Sequence, residues 1–116
     1  MMAKLLLDFS IDGVLPEEGA PARDRVISGS PRFRSWEIDA QPGGLHAGVW
    51  VGTPGIWRVS YTEWEYCRIL SGVSIVTGAD AAPRRLVAGD SIIIRPGFEG
   101  TWEVVETTRK LYVVRL

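Results

Sequence analysis

One histidine and one cysteine are all that this 116-residue chain offers of the side chains that most often ligate transition metals or act as soft nucleophiles. A transition-metal site needs several N, O or S ligands converging, and a lone imidazole does not supply them. With Cys67 as the only thiol there is no internal disulfide framework, which suits a reducing compartment and leads us to expect a cytoplasmic protein. The net charge is −1, so the basic excess that a phosphate backbone demands is missing and nucleic acid is not an expected partner. No run of 18 apolar residues occurs, and the short apolar stretch within Met1 to Phe9 is followed by no small-residue cleavage site, so neither export nor a membrane span is expected. An amphipathic helical period of useful length is also absent, as are low-complexity segments and repeats.

What is there is a globular composition, with 46% hydrophobic and 23% charged residues. It is enough for one domain that buries roughly two-thirds of its unfolded surface. Strand and turn signals recur along it. Lys4 to Phe9 reads as an edge strand or a docking segment, ended by the polar Ser10-Ile11-Asp12-Gly13. Pro16 to Pro31 holds three prolines and two glycines among charged residues and reads as an irregular arm over the surface, able to cover a neighbouring subunit. Ser35 to Asp39 alternates as a half-buried strand and Gln41-Pro42-Gly43-Gly44 turns it. His46 to Gly52 follows, then a turn at Thr53-Pro54-Gly55.

The organising stretches are Gly55 to Gly72 and Gly89 to Trp102, which are expected to face each other. In the first, alternation puts Trp57, Val59 and Tyr61 on an inward face, with Arg58 and Ser60 opposite. It then groups Glu65, Cys67 and Ile69, with Trp64, Tyr66 and Arg68 on the other side. Ser71-Gly72 reads as a turn into a strand from Val73 to Thr77, and Gly78 to Pro83 as a loop before Arg84 to Val87. In the second stretch Gly89-Asp90 supplies a turn with a side-chain acceptor, Ser91 to Ile94 is β-branched and too short for a helix, and Pro96-Gly97 stops it. Thr101 to Val105 and Lys110 to Arg115 complete about ten short strands, an all-β closed double sheet.

These residues carry a resemblance to the cupin superfamily. Its first motif resembles a Gly, a His-any-His pair, a Glu and a second Gly, and here Gly55, Glu65 and Gly72 keep that frame while Val59 and Tyr61 fall near the histidine places. The second motif resembles Gly-Asp, a strand, Pro-any-Gly and a His. Gly89-Asp90, Arg95-Pro96-Gly97 and Gly100 occupy it, again without histidine. A closer resemblance is to the cupin subgroup that includes ureidoglycine aminohydrolase-like domains. Its pattern is met by Trp50, Pro54-Gly55, Trp57-Arg58-Val59, Glu65-Tyr66-Cys67, Ile69-Leu70, Gly72, Gly97 to Glu103 and Arg109 to Val113. The aminohydrolase resembles a tandem of two cupin domains with a manganese site, and this chain has one domain without the matching histidines. The resemblance implies a jelly-roll barrel, a double-stranded β-helix. One domain is expected over residues 1–116, with 1–32 as an N-terminal arm and 33–116 as the barrel. It also implies sheets paired across a two-fold axis, hence a homodimer.

Glu65 is the residue that asks for an explanation, because an ionised carboxylate inside an apolar barrel is costly unless a cation or several donors meet it. Tyr61, Lys110 and Arg58 are the candidate partners, and alternation alone does not say which face of the Lys110 strand points inward. If Lys110 is inward, Glu65, Lys110 and Tyr61 form a candidate catalytic set, and Trp57, Glu65, Cys67, Trp102 and Tyr112 a ligand pocket suited to a small polar molecule or to proton transfer. The bland counterpart is a structural ion pair. Cys67 is read as core, and His46, outside both motif frames, as an ordinary side chain. No metal or cofactor is expected, with room left for a weakly bound divalent ion. Three function classes stay open: a metal-independent binding module for a small polar metabolite, an enzyme acting on a small amide or ureide through Glu65, and a scaffold using Trp64 and Tyr66 as an interface.

Overall fold

The computed structural model describes residues 4–116, so Met1 to Ala3 of the expected arm lie outside the described residues. Its nine strands are β1 (Glu17–Gly19), β2 (Val26–Gly29), β3 (Phe33–Gln41), β4 (Leu45–Gly52), β5 (Gly55–Ser60), β6 (Trp64–Gly78), β7 (Arg84–Leu86), β8 (Ser91–Ile94) and β9 (Glu99–Arg115), with one 3₁₀ turn at Arg23–Arg25. All pairings are antiparallel.

The sheet closes on itself because β6 and β9 are long and each belongs to both halves. The C-terminal part of β9 pairs with β4 (Val49↔Leu111) and with the N-terminal part of β6 (Cys67↔Tyr112), to which β8 is added (Glu65↔Ile94). The N-terminal part of β9 pairs with β5 (Trp57↔Trp102) and with the C-terminal part of β6 (Val76↔Trp102), to which β7 is added. This is the all-β closed sheet expected from the strand pattern and the jelly-roll that the resemblance implies, and the two organising stretches do pair. Among the described residues no helix is long and apolar enough to cross a membrane.

Two expected breaks are instead bends. Ser71-Gly72 does not turn the chain; β6 passes through with register shifts between Ile69 and Ser74, and Gly72 sits there at φ 88°. A Cβ on Gly72 would lie 2.1 Å from the Thr107 carbonyl oxygen, so only glycine lets the two strands keep contact across the bulge. Opposite it, Glu106 to Thr108 stay within β9, so the two runs read from the sequence are one strand. Bulges bend a sheet without ending it, which is why a turn-forming residue misleads here.

The stretch from Pro16 to Pro31 is more regular than its composition suggests. β1 adds to β3 and β2 adds to β5 as edge strands, since main-chain pairing at an edge needs no apolar alternation. Residues 4–9 form no strand. The turn at Gly89-Asp90 behaves as its residues predict: the Asp90 carboxylate accepts from the Val87 amide at 2.9 Å, and Ile69 of β6 exchanges two main-chain hydrogen bonds with the turn.

Candidate functional site

Four aromatic side chains from different strands converge inside the barrel mouth. Phe33 on β3 stands 5.1 Å from Trp50 and 5.0 Å from Trp57, and Trp50 meets Trp102 edge-on at 6.0 Å. The pairing that brings them together is a register fact: Ser35 lies opposite Trp50, Trp50 opposite Lys110, and Trp57 opposite Trp102. They surround a cavity of about 290 Å³, to which Tyr61, Glu65, Lys110 and Tyr112 contribute polar atoms.

At its floor the Lys110 ammonium donates to Glu65 Oε2 at 2.8 Å, and both side chains are buried. The same ammonium lies 4.3 Å from the centre of the Trp102 ring and 4.8 Å from that of Trp50. A desolvated cation over two indole faces is stabilised by their quadrupoles as well as by its counter-ion. Burial alone pulls the Lys110 ammonium down, but the charge of Glu65, with smaller help from Tyr61 and Cys67, more than offsets it and leaves Lys110 above the ordinary lysine range. Lys110 is thus a fixed positive charge at neutral pH and not a nucleophilic amine. Arg58, the third candidate partner, is turned away and donates to the Asp24 carbonyl at 2.8 Å.

Tyr61 is held by the Pro96-Gly97 turn, its amide donating to the Phe98 carbonyl and its carbonyl accepting from Gly97. Burial raises its hydroxyl above the ordinary phenol value; Lys110 opposes this and the nearby Glu65 reinforces it. Tyr112 is shifted the same way, by burial first and then by Glu37, Glu65 and Glu17. Its ring lies against Gly48, where a Cβ would come 2.6 Å from the Tyr112 hydroxyl oxygen.

Of the residues singled out in the sequence, Tyr61, Trp57, Glu65, Trp102, Lys110 and Tyr112 all line this cavity. Cys67 does not. It shares the inward face with Glu65 but is fully buried in the core among Ile69, Ile94 and Trp102, because alternation gives a face and not a depth. Trp50, Phe33 and Ser35 line the cavity without having been among the expected pocket residues; the alternation of β4 and β3 gives them a face, but only the pairing with β9 shows where that face leads. Trp64 and Tyr66 are half-buried on the outer face. His46 pairs with Glu37 away from the ion pair.

The barrel type implies a metal, and the side chains present do not fit one. Among the described residues no three His, Cys, Asp or Glu side chains cluster, Val59 and Tyr61 stand near the places where the motif has imidazoles, and the one inward carboxylate is taken by Lys110.

Below the site a polar relay is closed without water. Trp102 Nε1 donates to Ser74 Oγ (3.1 Å), Ser74 Oγ lies 2.7 Å from Thr108 Oγ1, and Thr108 Oγ1 donates to the Glu106 carbonyl at 2.9 Å. With the threonine proton used on that carbonyl, Ser74 is the donor of the middle link.

Alkaline pH should loosen this interior. Burial, opposed by Lys110 and reinforced by Glu65, pushes the Cys67 thiol up from 9.0 to about 11. A folded pKa above the unfolded one means stability that is complete below about pH 9 and lost as pH rises through about 11, on the order of 2–3 kcal/mol for this group. Urea titrations from pH 8 to 11 should show that decline, and Cys67→Ala should lessen its slope. Equal slopes in the two proteins would refute the assignment.

A model of the EutQ-like cupin domain matches residues 40–112, a span that includes both members of the ion pair. Among solved structures, a protein of unknown function from Pseudomonas syringae pv. tomato superposes with a TM-score of 0.79 at 22% identity, over 87% of this chain and 43% of that one. The chain therefore spans less than half the length of that relative. The EutQ protein of Clostridium difficile gives 0.65 at 17% identity, over 84% and 79% of the two chains. A predicted oxalate decarboxylase from Thermotoga maritima gives 0.74 at 14% identity, over 95% and 99%. At these identities the likeness is one of fold. No curated protein sequence matches the chain.

Proposed function

Since this chain belongs to the family of EutQ-like cupin domains, we propose that it is a cupin that binds a small polar metabolite in the barrel, with the ammonium of Lys110 standing where a metal would give such a barrel its positive charge. The observation that carries the reading is the buried Glu65–Lys110 pair opening onto an aromatic cavity. A pair kept only for packing would be as well served by two apolar side chains, since the desolvation of two charges commonly cancels their attraction. Beside a cavity, the pair offers a ligand both a donor and an acceptor, between flat apolar walls that favour a planar molecule.

The test is a thermal-shift screen of a metabolite pool on the wild-type protein and on Glu65→Gln. Glutamine preserves shape and can still accept from Lys110 but removes its counter-charge, so each shift is read against the variant's own unliganded midpoint, and the apparent affinity of the ligand should fall at least about tenfold. A ligand that stabilises both proteins equally would remove Glu65 from the site. A pool that stabilises neither would count against binding altogether.

Catalysis on a small amide or ureide is the second reading, and what favours it is that Tyr61 lines the same cavity as Glu65 and Lys110, so that a hydroxyl donor and a carboxylate acceptor face one bound molecule. Ammonia release from such substrates, abolished in Tyr61→Phe with binding retained, would establish it.

A further inference from the structure

Away from the ion pair the barrel has a second opening. β7 pairs with the C-terminal half of β6 and β8 with its N-terminal half, and among the described residues neither has another partner. Register shifts in β6 between Ile69 and Ser74 separate the two halves, and between β7 and β8 lies a groove of about 560 Å³. Val76 and Ile94 are the most buried of its lining residues, Ile92 and Phe98 are half-buried, and Ala81 and Ala82 stand exposed at its lip. The groove and the aromatic cavity share no lining residue. Phe98 of the groove and Tyr61 of the cavity meet edge-on at 6.1 Å, and their rings partition the two spaces.

Arg84 and Arg95 are the charged side chains that line the groove, and no carboxylate lines it with them. Both are exposed, and neither is in an ion pair among the described residues. Chain direction sets them at one end. β7 runs from Arg84 towards the Gly89-Asp90 turn and β8 runs out of that turn to Ile94, so each arginine lies at the end of its strand remote from the turn. The result is an aliphatic trough with two guanidinium groups at its head.

We propose that this groove binds a medium-chain aliphatic carboxylate, its chain lying along Ile92 and Ile94 and its carboxylate held by Arg84 and Arg95. No side chain along the trough offers a hydrogen bond to the body of a ligand, so what it recognises there is apolar area removed from water. The four residues of β8 span about 13 Å, which an extended chain of roughly ten carbons matches. A carboxylate has about four lone-pair sites, and two guanidinium forks saturate them in the bidentate geometry that makes such pairs strong. A phosphate carries more charge on more oxygens and would need further donors. The site is separate from the barrel cavity, so its test does not depend on what fills that cavity.

Isothermal titration of the full chain with decanoate, kept below its micellar concentration, should show a single saturable site per chain. Decanol has the chain without the charge and acetate the charge without the chain, and each should bind at least about tenfold more weakly. Arg84→Gln with Arg95→Gln should weaken decanoate by about tenfold or more and leave the far-ultraviolet spectrum unchanged, since both side chains are exposed. Glu65→Gln should bind decanoate as the wild type does. Absence of saturable binding, equal binding of decanol and decanoate, or indifference to the two glutamines would each overturn the proposal. So would binding lost in Glu65→Gln, which would put decanoate in the barrel cavity. Binding that appears only in Leu5→Asp with Leu7→Asp would also overturn it, by making the chain's own exposed apolar segment the occupant of the groove.

Discussion

Lys110→Met is expected to cost the fold about 3–5 kcal/mol, the range found when one partner of a buried ion pair is removed and the other charge is stranded. Methionine keeps most of the packing against Trp50 and Trp102, so the loss belongs to the uncompensated Glu65 and to the lost cation over the two rings. A double variant separates these. In the double variant Glu65→Gln, Lys110→Met, much of the stability should return, and the interaction energy of the cycle should be well over 1 kcal/mol. Additive losses would mean that Glu65 is solvated through the cavity and that the pair contributes little. Against a total stability of roughly 5–15 kcal/mol for a domain of this kind, the expected single-mutant loss is large enough to read from denaturant midpoints.

The need for such a partner could be read from the chain, but the partner itself depended on pairing. Glu65 falls on the apolar face of its strand by simple alternation, and burying it without a cation would be prohibitive, so Lys110, Tyr61 and Arg58 could be named. Choosing among them required the register that puts Lys110 opposite Trp50 on one side and Ile69 on the other; Arg58 is on the outward face of β5 and meets the Asp24 carbonyl instead. Strand faces were legible because period two is local. Strand continuity was less so: Gly72 signals a turn in isolation, and only its neighbour Thr107 shows that glycine is there for close approach. Depth was less legible, which is why Cys67 could be read both as core and as a wall of the cavity; it is part of the core. Edge strands such as β1 and β2 left no apolar pattern, since what holds them is main chain.

Trp102→Ala should be about as damaging as the loss of Lys110, roughly 3–5 kcal/mol for truncating a buried tryptophan, because this side chain belongs to three structures at once. Its ring is 2% exposed and packs edge-on to Trp50. One face carries the Lys110 ammonium at 4.3 Å, and its indole N–H starts the relay through Ser74 and Thr108. Alanine opens a void continuous with the cavity, exposes Lys110 on that side, and leaves Ser74 Oγ without its donor. Trp102→Phe divides these contributions. Most of the volume and a π face remain, while the N–H is lost, so the cost should fall to about 1–2 kcal/mol, that of an unmet buried hydrogen bond and a modest void. The two variants should also differ in the cavity. Alanine enlarges it and should admit bulkier ligands with weaker binding, whereas phenylalanine should leave ligand size preference unchanged. If phenylalanine proved as destabilising as alanine, the relay rather than the packing would be what ties the floor of the barrel to its core, and Ser74→Ala should then reproduce most of the loss by itself.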